Sequence, residues 1–548
     1  METTLPNFPA HTAYARSARR PALVLSAAQK LLLPLGLVLF DWLFWLEGAG
    51  LNMLVYTIFV VGAQLYLLPR HAAVRRSGYF WLAVGGSLVS GTLVAVYGSG
   101  AAVLACWTSL ALLLGYVNQP HLKLIHYAVL TAVGSAGQAG WRVLRGLRMP
   151  DSPSGNVRAG WFYARLLLLP LVVLVVFHFL FVLANPEYSR LSGEALAVLG
   201  EWLAKLIPDI SIGHLLFILL GFSITAGLLV VVPVHFLADH ESRFGEFVRR
   251  QRDRVASFGV RRPDFRVQRF GVLDLRKEFL AAAAVFGLVN LLLLVVNAID
   301  INWLWFGFEP APGFDLTQFV HEGTYVLIFS ILLAMGIVLW FFRRNLNFYA
   351  PGLPWLRWGA TVWVAQNAVL AVSVGLRNYY YILHTGLAYK RIGVCFFLLL
   401  TLFGLATVLL KIWQRRSAYS LVRLNALAAY SVMLLLAAGN WEIWMARYNL
   451  NPRFHTIDVG FLLDMPGRVL PTLQARRAVL SQVPLLVADD GSSYFHEVSA
   501  EHAQHQLDEF LRRWQFQQQG RDWQSLCWAD WIAAYELSDT QAAKVSQR

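Results

Sequence analysis

The sequence predicts an all-α protein: a polytopic transmembrane helical bundle of about eleven spans, followed by a small water-exposed helical module at the carboxyl end. The first observation is composition, since 57% of the 548 residues are apolar and only 14% are charged. A soluble domain carries about 25% charged residues, so this chain cannot cover its surface with solvated side chains. The second is the length of the apolar runs, because a helix needs about 20 apolar residues to cross the hydrocarbon core.

The apolar runs are spaced closely enough to be interpreted as one bundle. Residues 1–30 are polar, and no small-residue cleavage site follows the first run, which favours an uncleaved first span over a removable signal peptide. The predicted spans are 31–46, 51–69, 79–97, 101–117, 166–184, 215–237, 279–299, 325–342, 358–376, 392–410 and 424–445.

The charges of the loops predict the orientation. With the amino terminus inside, the inner segments carry 30 Lys and Arg residues and the outer loops carry 5, when both are counted along the sequence. Lys and Arg are retained on the cytoplasmic side. We therefore expect a multi-pass protein of the bacterial inner membrane with a cytoplasmic segment at 1–30 and an extracytoplasmic tail.

One moderately apolar segment is excluded from the count. Residues 121–140 contain Lys123, His126, Ser135 and Gln138. A span there would move the eleven basic residues of loop 238–278 to the outside. We interpret the segment as an interfacial helix or a partial insertion.

The remaining organisation follows from turns and amphipathic patterns. Glycine-rich turns at 47–50 and 97–100 close two tight hairpins, through either a tandem duplication or the ordinary preference of turns for glycine. Residues 185–211 predict an amphipathic helix, either along the outer membrane surface or as a cap on the bundle. The bundle is predicted to cover 31–445. Residues 446–548 form the helical tail, whose tryptophans (514, 523, 528 and 531) are expected in its core.

Ionisable residues at membrane depth are the candidate functional residues, because a charge there is costly unless it is paired or hydrated. Helical spacing places Arg377, Tyr381 and His384 on one face. Arg377 and Arg391 are predicted on the outer side, where Lys and Arg are disfavoured. Such cations need acids nearby to neutralise them. These residues form either an outward-facing polar cavity that binds a substrate or an interhelical ion-pair network that fixes the bundle. The full set is Asp41, Asp300, His321, Glu322, Arg377, Tyr381, His384, Arg391 and Glu442.

Several function classes are excluded or disfavoured. The stretch at His321 and Glu322 begins like a zinc-protease helix, but Tyr325 stands where the second histidine is needed, so no metal or other cofactor is predicted. Three cysteines cannot form a disulfide framework. Loop 238–278 is basic, and we expect it to contact anionic lipid headgroups rather than nucleic acid, since no nucleic-acid-binding signature accompanies its arginines.

Scattered motifs resemble a bacterial integral-membrane family filed as domain of unknown function 4173, with a related family numbered 4153. They are Asp41-Trp42-Leu43-Phe44, the segment at 319–323, the pattern of Tyr381, Gly386, Leu387 and Arg391, and residues 440–449 followed by Asp458. Ala388 stands where a threonine is expected. The likeness covers roughly residues 30 to 470, and it implies an inner-membrane protein without an established activity.

Three hypotheses for function remain. The leading one is a non-enzymatic membrane protein with an outward-facing charged cavity, either a transporter-like bundle or a scaffold with an envelope protein partner. The alternative is a membrane-embedded transferase or hydrolase acting on lipid or envelope material, which needs an acid or base such as Glu322 or His384 at an open groove. A sensor ranks last because the sequence has no recognisable output domain.

Overall fold

The computed structural model describes residues 25–69, 72–146, 170, 174, 177–179, 181–182, 184–206, 211–249, 275–306, 308, 316–343, 345–489 and 495–546. Up to residue 249 the helices are α1 Ala27–Phe44, α2 Leu51–Leu67, α3 Gly78–Tyr97, α4 Gly100–Asn118, α5 Ile125–Gly146, α6 Pro186–Leu206, α7 Ile212–Leu229 and α8 Phe236–Glu241. The later long helices are α9 Leu275–Asp300, α10 Leu316–Phe341, α11 Leu353–Thr385, α12 Tyr389–Gln414, α13 Ala418–Ala437 and α14 Trp441–Asn449.

Eight of the described helices are long and apolar enough to cross a membrane. The chain is therefore a membrane protein built mainly from helices. These helices overlap the predicted spans that begin at residues 31, 79, 101, 215, 279, 358, 392 and 424. Spans 215–237 and 424–445 were predicted too far, because α7 ends at Leu229 and α13 at Ala437. The predicted spans 51–69 and 325–342 correspond to the shorter apolar helices Leu51–Leu67 and Tyr325–Phe341. Span 166–184 lies mostly outside the described residues, so the count of eleven stays a prediction.

Two amphipathic segments are helical. The predicted surface helix at 185–211 is α6, in which Arg190 pairs with Glu187 and Glu194 on an exposed face. The doubtful segment 121–140 overlaps α5, which begins at Ile125 and is not among the eight helices apolar enough to cross. Whether α5 inserts stays a prediction.

The described residues form two compact units, 1–41 with 135–232 and 42–134 with 233–548. In the first unit, α7 packs closely on its neighbours because glycines remove side-chain volume. A Cβ on Gly221 would lie 2.5 Å from a ring carbon of Phe40, and one on Gly227 would lie 2.8 Å from the Cβ of Ala136. Helix α7 therefore tolerates no larger residue at either contact without a shift of its neighbours.

In the second unit, α9 and α11 pack in parallel along a polar ladder. The hydrogen bonds that cross between them recur about every seven residues, and the last comes from Trp305 in the π-helical turn Ile301–Trp305 that continues α9. A constant offset between partners requires parallel axes. The core around this contact includes Phe286, Leu356, Trp363 and Val374. The polar ladder consists of Asn290 Nδ2 to the Gly359 carbonyl (3.0 Å), Asn297 Nδ2 to the Gln366 carbonyl (3.1 Å) and Trp305 Nε1 to Ser373 Oγ (3.0 Å).

The carboxyl-terminal segment contains a small sheet that the sequence analysis missed. Strand β1 Thr456–Asp458 pairs in parallel with β2 Leu485–Asp489, which pairs antiparallel with β3 Phe495–Glu497. The helices α15 Val459–Leu463, α16 Leu470–Ala475, α17 Ala500–Gln519 and α18 Trp528–Ser546 accompany it. Its core is continuous with α14 and the start of α12, because buried Met445 and Ile392 belong to the same cluster as Leu507.

The expectation that the four tryptophans form this core is wrong for three of them. Trp514 is 6% exposed, whereas Trp523, Trp528 and Trp531 are 43%, 54% and 48% exposed. Trp528 stacks on Trp531, with ring centroids 5.1 Å apart. Helical spacing alone could not distinguish the buried face from an exposed aromatic face on the same helix.

Both glycine-rich turns lie against residues 523–527. The backbone N–H of Leu51 donates to the carbonyl of Leu526 at 3.0 Å. A Cβ on Gly50 would lie 2.6 Å from the carbonyl carbon of Ser525, and one on Gly98 would lie 2.5 Å from the sulfur of Cys527. These glycines therefore allow the carboxyl-terminal segment to approach the turns, in addition to closing the hairpins.

Candidate functional site

Asp300 and Arg377 form a buried ion pair between α9 and α11. Arg377 Nη2 donates to Asp300 Oδ1 at 2.8 Å, and both residues are buried. Asp300 and Arg377 are therefore in contact, and the pair joins two predicted spans.

The turn between α11 and α12 places Tyr381 and Arg391. The Arg391 guanidinium lies 4.2 Å from the centre of the Tyr381 ring. It also donates to the carbonyls of Thr385, at 3.0 Å, and Gly386. A cation that binds the last carbonyls of a helix satisfies their hydrogen-bonding need and opposes the helix dipole. Arg391 therefore caps the end of α11.

Asn449 holds this turn from α14. Its side-chain oxygen accepts from the Leu387 N–H at 2.6 Å, and its amide donates to the Leu387 carbonyl at 2.8 Å. Gly386 has a φ of 86°, which favours glycine, and a Cβ there would lie 2.6 Å from Asn449 Oδ1. The only indication of this contact in the sequence was that Asn449 lies in one of the family motifs.

The predicted histidines and Glu322 contribute less to the arrangement. His384 is exposed, and its Nδ1 lies 2.8 Å from the carbonyl oxygen of Tyr380 on its own helix. The side chains of His321 and Glu322 lie outside the described residues. No acid or base from this group is therefore placed at a groove by the residues that the structure describes.

Glu442 has a partner that the sequence analysis missed. Arg468 Nη2 lies 3.8 Å from Glu442 Oε1, and both side chains are buried. Arg468 precedes α16, within the segment interpreted as a separate outer module. The sequence contained one indication of this pair. Arg468 is a single arginine between the apolar runs 459–463 and 469–473, which favours its burial, and a buried cation requires an acid.

Asp41 pairs within the first unit. Its Oδ1 lies 2.8 Å from His214 Nε2, so α1 and α7 are joined by a partly exposed contact. His214 was not predicted. Like the Asp300–Arg377 pair, this one links two apolar helices, the arrangement expected of polar groups that support helix packing in a membrane.

A basic cavity lies at the opposite end of α11 and α12 from Arg377 and Arg391. It has a volume of about 640 Å³. It lies between residues 242–249, the start of α5, the carboxyl ends of α10 and α12, and the amino end of α13. Its lining includes the cations Arg243, Arg249, Arg343 and Lys411, and none of the described residues that line it is an acid. The cavity thus concentrates positive charge without internal neutralisation.

The wall of the basic cavity is fixed by backbone pairing. The N–H of Val248 donates to the Arg415 carbonyl at 2.9 Å, and the N–H of Ser417 donates to the Glu246 carbonyl at 2.9 Å. Residues 246–248 therefore run along the α12–α13 turn as a short strand would. These bonds hold the wall in place.

The nearest acids hold this wall together. Glu241 Oε1 accepts from the N–H of Lys123 at 2.9 Å and from the Tyr419 hydroxyl at 2.7 Å. Glu246 pairs with Arg423. Both carboxylates are therefore engaged by residues other than the four lining cations.

Among the residues that the structure describes, no three His, Cys, Asp or Glu side chains lie close enough to hold a metal ion. A family model with the description Domain of unknown function (DUF4153) matches residues 72–474, which is most of the chain. This is the related family named above, and the resemblance to family 4173 stays a prediction. No curated protein and no solved structure matches the chain.

Proposed function

The chain belongs to the family of the domain of unknown function DUF4153, and we propose that it is a non-enzymatic scaffold of the bacterial inner membrane that binds anionic lipid headgroups at the basic cavity. One observation carries the proposal: four cations line a cavity whose described lining contains no acid. Each basic residue near an anionic membrane surface contributes about 1 kcal/mol of attraction. Loop 238–278 was predicted to contact anionic headgroups, and its first residues form a wall of the cavity. The headgroups would therefore bind there.

The proposed orientation places this cavity in the cytoplasmic leaflet, where anionic lipids are expected. The amino terminus is cytoplasmic, eleven spans follow, and the carboxyl-terminal segment is extracytoplasmic. The contact of residues 523–527 with the turns after α1 and α3 supports this, because it requires the carboxyl terminus on the same side as both hairpin turns.

The pairing of the predicted charges supports a scaffold more than a transporter. Arg377 is paired with Asp300, Arg391 caps a helix, and Glu442 lies beside Arg468. Groups that neutralise one another between helices stabilise a bundle. The outward-facing substrate cavity, the envelope protein partner and the alternative transferase or hydrolase remain hypotheses that these contacts do not favour.

A triple variant, Arg243→Gln with Arg249→Gln and Arg343→Gln, tests the proposed function. At about 1 kcal/mol per residue, we expect roughly a hundredfold weaker binding of the detergent-purified protein to vesicles containing phosphatidylglycerol. The difference should shrink as ionic strength rises, because salt screens exposed charges. Co-sedimentation at several lipid concentrations measures the change.

The matched control replaces three exposed arginines that do not line the cavity, Arg447→Gln with Arg453→Gln and Arg513→Gln. This variant loses the same net charge and should bind the vesicles like the parent protein. Equal losses for both triple variants would show that binding depends on net charge alone, and the proposed function would then be wrong.

A further inference from the structure

We propose that the basic cavity is a defined site for one phosphate-bearing lipid and that the buried ammonium of Lys411 is its innermost ligand for the phosphate. The inference rests on the proposed function and deepens it from attraction to an anionic surface to a single site. The starting observation is a difference in burial between the arginines and the lysine that line the cavity. Arg243 and Arg249 are exposed, whereas Lys411 is only 2% exposed.

The surroundings of Lys411 do not neutralise its charge. Its Nζ donates one hydrogen bond, to the carbonyl of Arg416 at 3.0 Å, and no described carboxylate forms an ion pair with it. An ammonium has three N–H donors, so two remain for a ligand. Lysine is almost never fully buried unless it is paired.

A buried cation beside a cavity is satisfied when an anion occupies that cavity. Transfer of an ammonium from water is unfavourable unless an opposite charge and hydrogen bonds replace the lost hydration. The acids nearest to the cavity are already engaged, Glu241 by backbone N–H groups and Glu246 by Arg423. No described carboxylate lies within ion-pair distance of Lys411, and an anion bound in the cavity would supply the counter-charge.

Phosphate is the anion that suits this set of donors. Guanidinium groups bind phosphate oxygens in pairs, and an ammonium binds them as a compact point charge. Arg343 is held in position beforehand, since its guanidinium lies 3.5 Å from the centre of the Trp340 ring and donates to the Trp340 carbonyl at 2.7 Å. A group that is already oriented loses less freedom when the ligand binds.

The apolar part of the lining favours a lipid over free phosphate. Leu339 and Val422 line the cavity and belong to α10 and α13, so this wall continues along apolar helices. Phe244 and Phe247 line the same space and are largely exposed. A ligand with a phosphate at Lys411 and a hydrocarbon tail between α10 and α13 satisfies both kinds of surface.

The test uses Lys411→Met and Lys411→Arg in detergent, with dioctanoyl phosphatidylglycerol and inorganic phosphate as separate ligands. Native mass spectrometry should show one tightly bound lipid per chain in the parent protein. Loss of a charged hydrogen-bond donor should weaken that binding about tenfold or more in Lys411→Met. Lys411→Arg should retain most of it. Lys390→Met, which removes an exposed lysine at the start of α12, should bind like the parent.

Thermal unfolding separates a ligand-binding role from a structural one. Replacing an unneutralised buried charge with an apolar group of similar size often stabilises a protein. We therefore expect Lys411→Met to unfold at a higher temperature than the parent without lipid and to lose the rise that the lipid causes. A lower melting temperature with unchanged lipid binding would overturn the inference and leave Lys411 as a cap of α12.

Three other outcomes are decisive. If Lys411→Met binds lipid normally while the triple arginine variant does not, the single-site inference fails and the proposed function stands. If inorganic phosphate stabilises the protein as strongly as the lipid does, the ligand is not a lipid. Should Lys411→Met fail to fold, Arg343→Gln tests the same cavity, and unchanged affinity for the lipid there overturns the inference.

Discussion

Arg377→Leu is expected to destabilise the second unit by about 3–5 kcal/mol, because it leaves the buried carboxylate of Asp300 without its counter-charge. Asp300 Oδ1 accepts from Arg377 at 2.8 Å, and Oδ2 has no hydrogen-bond partner among the described residues. The remaining charge would have to be protonated or hydrated at membrane depth. Unfolding in mixed micelles of a mild detergent and sodium dodecyl sulfate measures the change in free energy.

The double variant Asp300→Leu with Arg377→Leu is the informative comparison. Replacement of a complete buried ion pair by apolar residues is often neutral or stabilising. We expect the double variant to recover most of the stability that Arg377→Leu loses, and Arg447→Leu, which replaces an exposed arginine, to change little.

This comparison also distinguishes the two interpretations of the membrane-depth charges. A pair that lines a hydrated cavity is screened, and breaking it costs about 1 kcal/mol or less. A loss of that size for Arg377→Leu would contradict the packing role and favour the polar cavity.

Hydropathy predicted the positions of most described apolar helices because a span needs about 20 apolar residues and must satisfy its backbone hydrogen bonds internally. It could not predict the polar ladder. Asn290, Asn297 and Trp305 are seven or eight residues apart, which is visible in the sequence, but their partners on α11 depend on which helix packs in parallel. The short strands were missed because three to five residues carry little periodicity.

For the same reason, the sequence predicted some of the site residues and missed others. Asp300 and Arg377 were expected at one depth, and depth follows from position along a span. Arg468 and His214 were missed because their partners, Glu442 and Asp41, are distant in the sequence and no periodic pattern links them. Lys411 was counted with the loop charges, although it lies in the last turn of α12. The predicted span ends one residue before Lys411, so the pattern did not indicate a buried cation.

The glycine-rich turns show where a local rule was insufficient. Turn preference or duplication could explain Gly50 and Gly98 equally well from the sequence. The structure adds a requirement that neither explanation contains, since residues 523–527 approach both turns more closely than a Cβ allows. Gly50 has a φ of −162°, which any residue can adopt, so steric exclusion alone makes this glycine necessary.

Gly50→Ala is therefore expected to displace residues 523–527 and to expose the thiol of Cys527. The added Cβ would lie 2.6 Å from the carbonyl carbon of Ser525 and 2.8 Å from the carbonyl oxygen of Leu526, both backbone atoms. In the parent protein Cys527 is 3% exposed, and burial, with a smaller effect of Asp530, raises the pKa of its thiol to about 11.

The pKa determines the size of the effect. The thiolate is the reactive form, and an unperturbed thiol has a pKa of about 8.5. Release of Cys527 into water should therefore raise its thiolate fraction near neutral pH by roughly 300-fold. In the parent protein the rate of alkylation should keep rising with pH up to about 11, whereas in Gly50→Ala it should level off near the ordinary value.

Alkylation by a maleimide reagent measures this release when Cys106 and Cys395 are both replaced by serine. Gly48→Ala is the matched control, because its Cβ would lie 3.8 Å from the Cβ of Ser525, an ordinary contact. The control should label as slowly as the parent. Equal labelling rates for Gly48→Ala and Gly50→Ala would show that Gly50 does not hold the carboxyl-terminal segment. The glycines of the first hairpin would then serve only to close the turn.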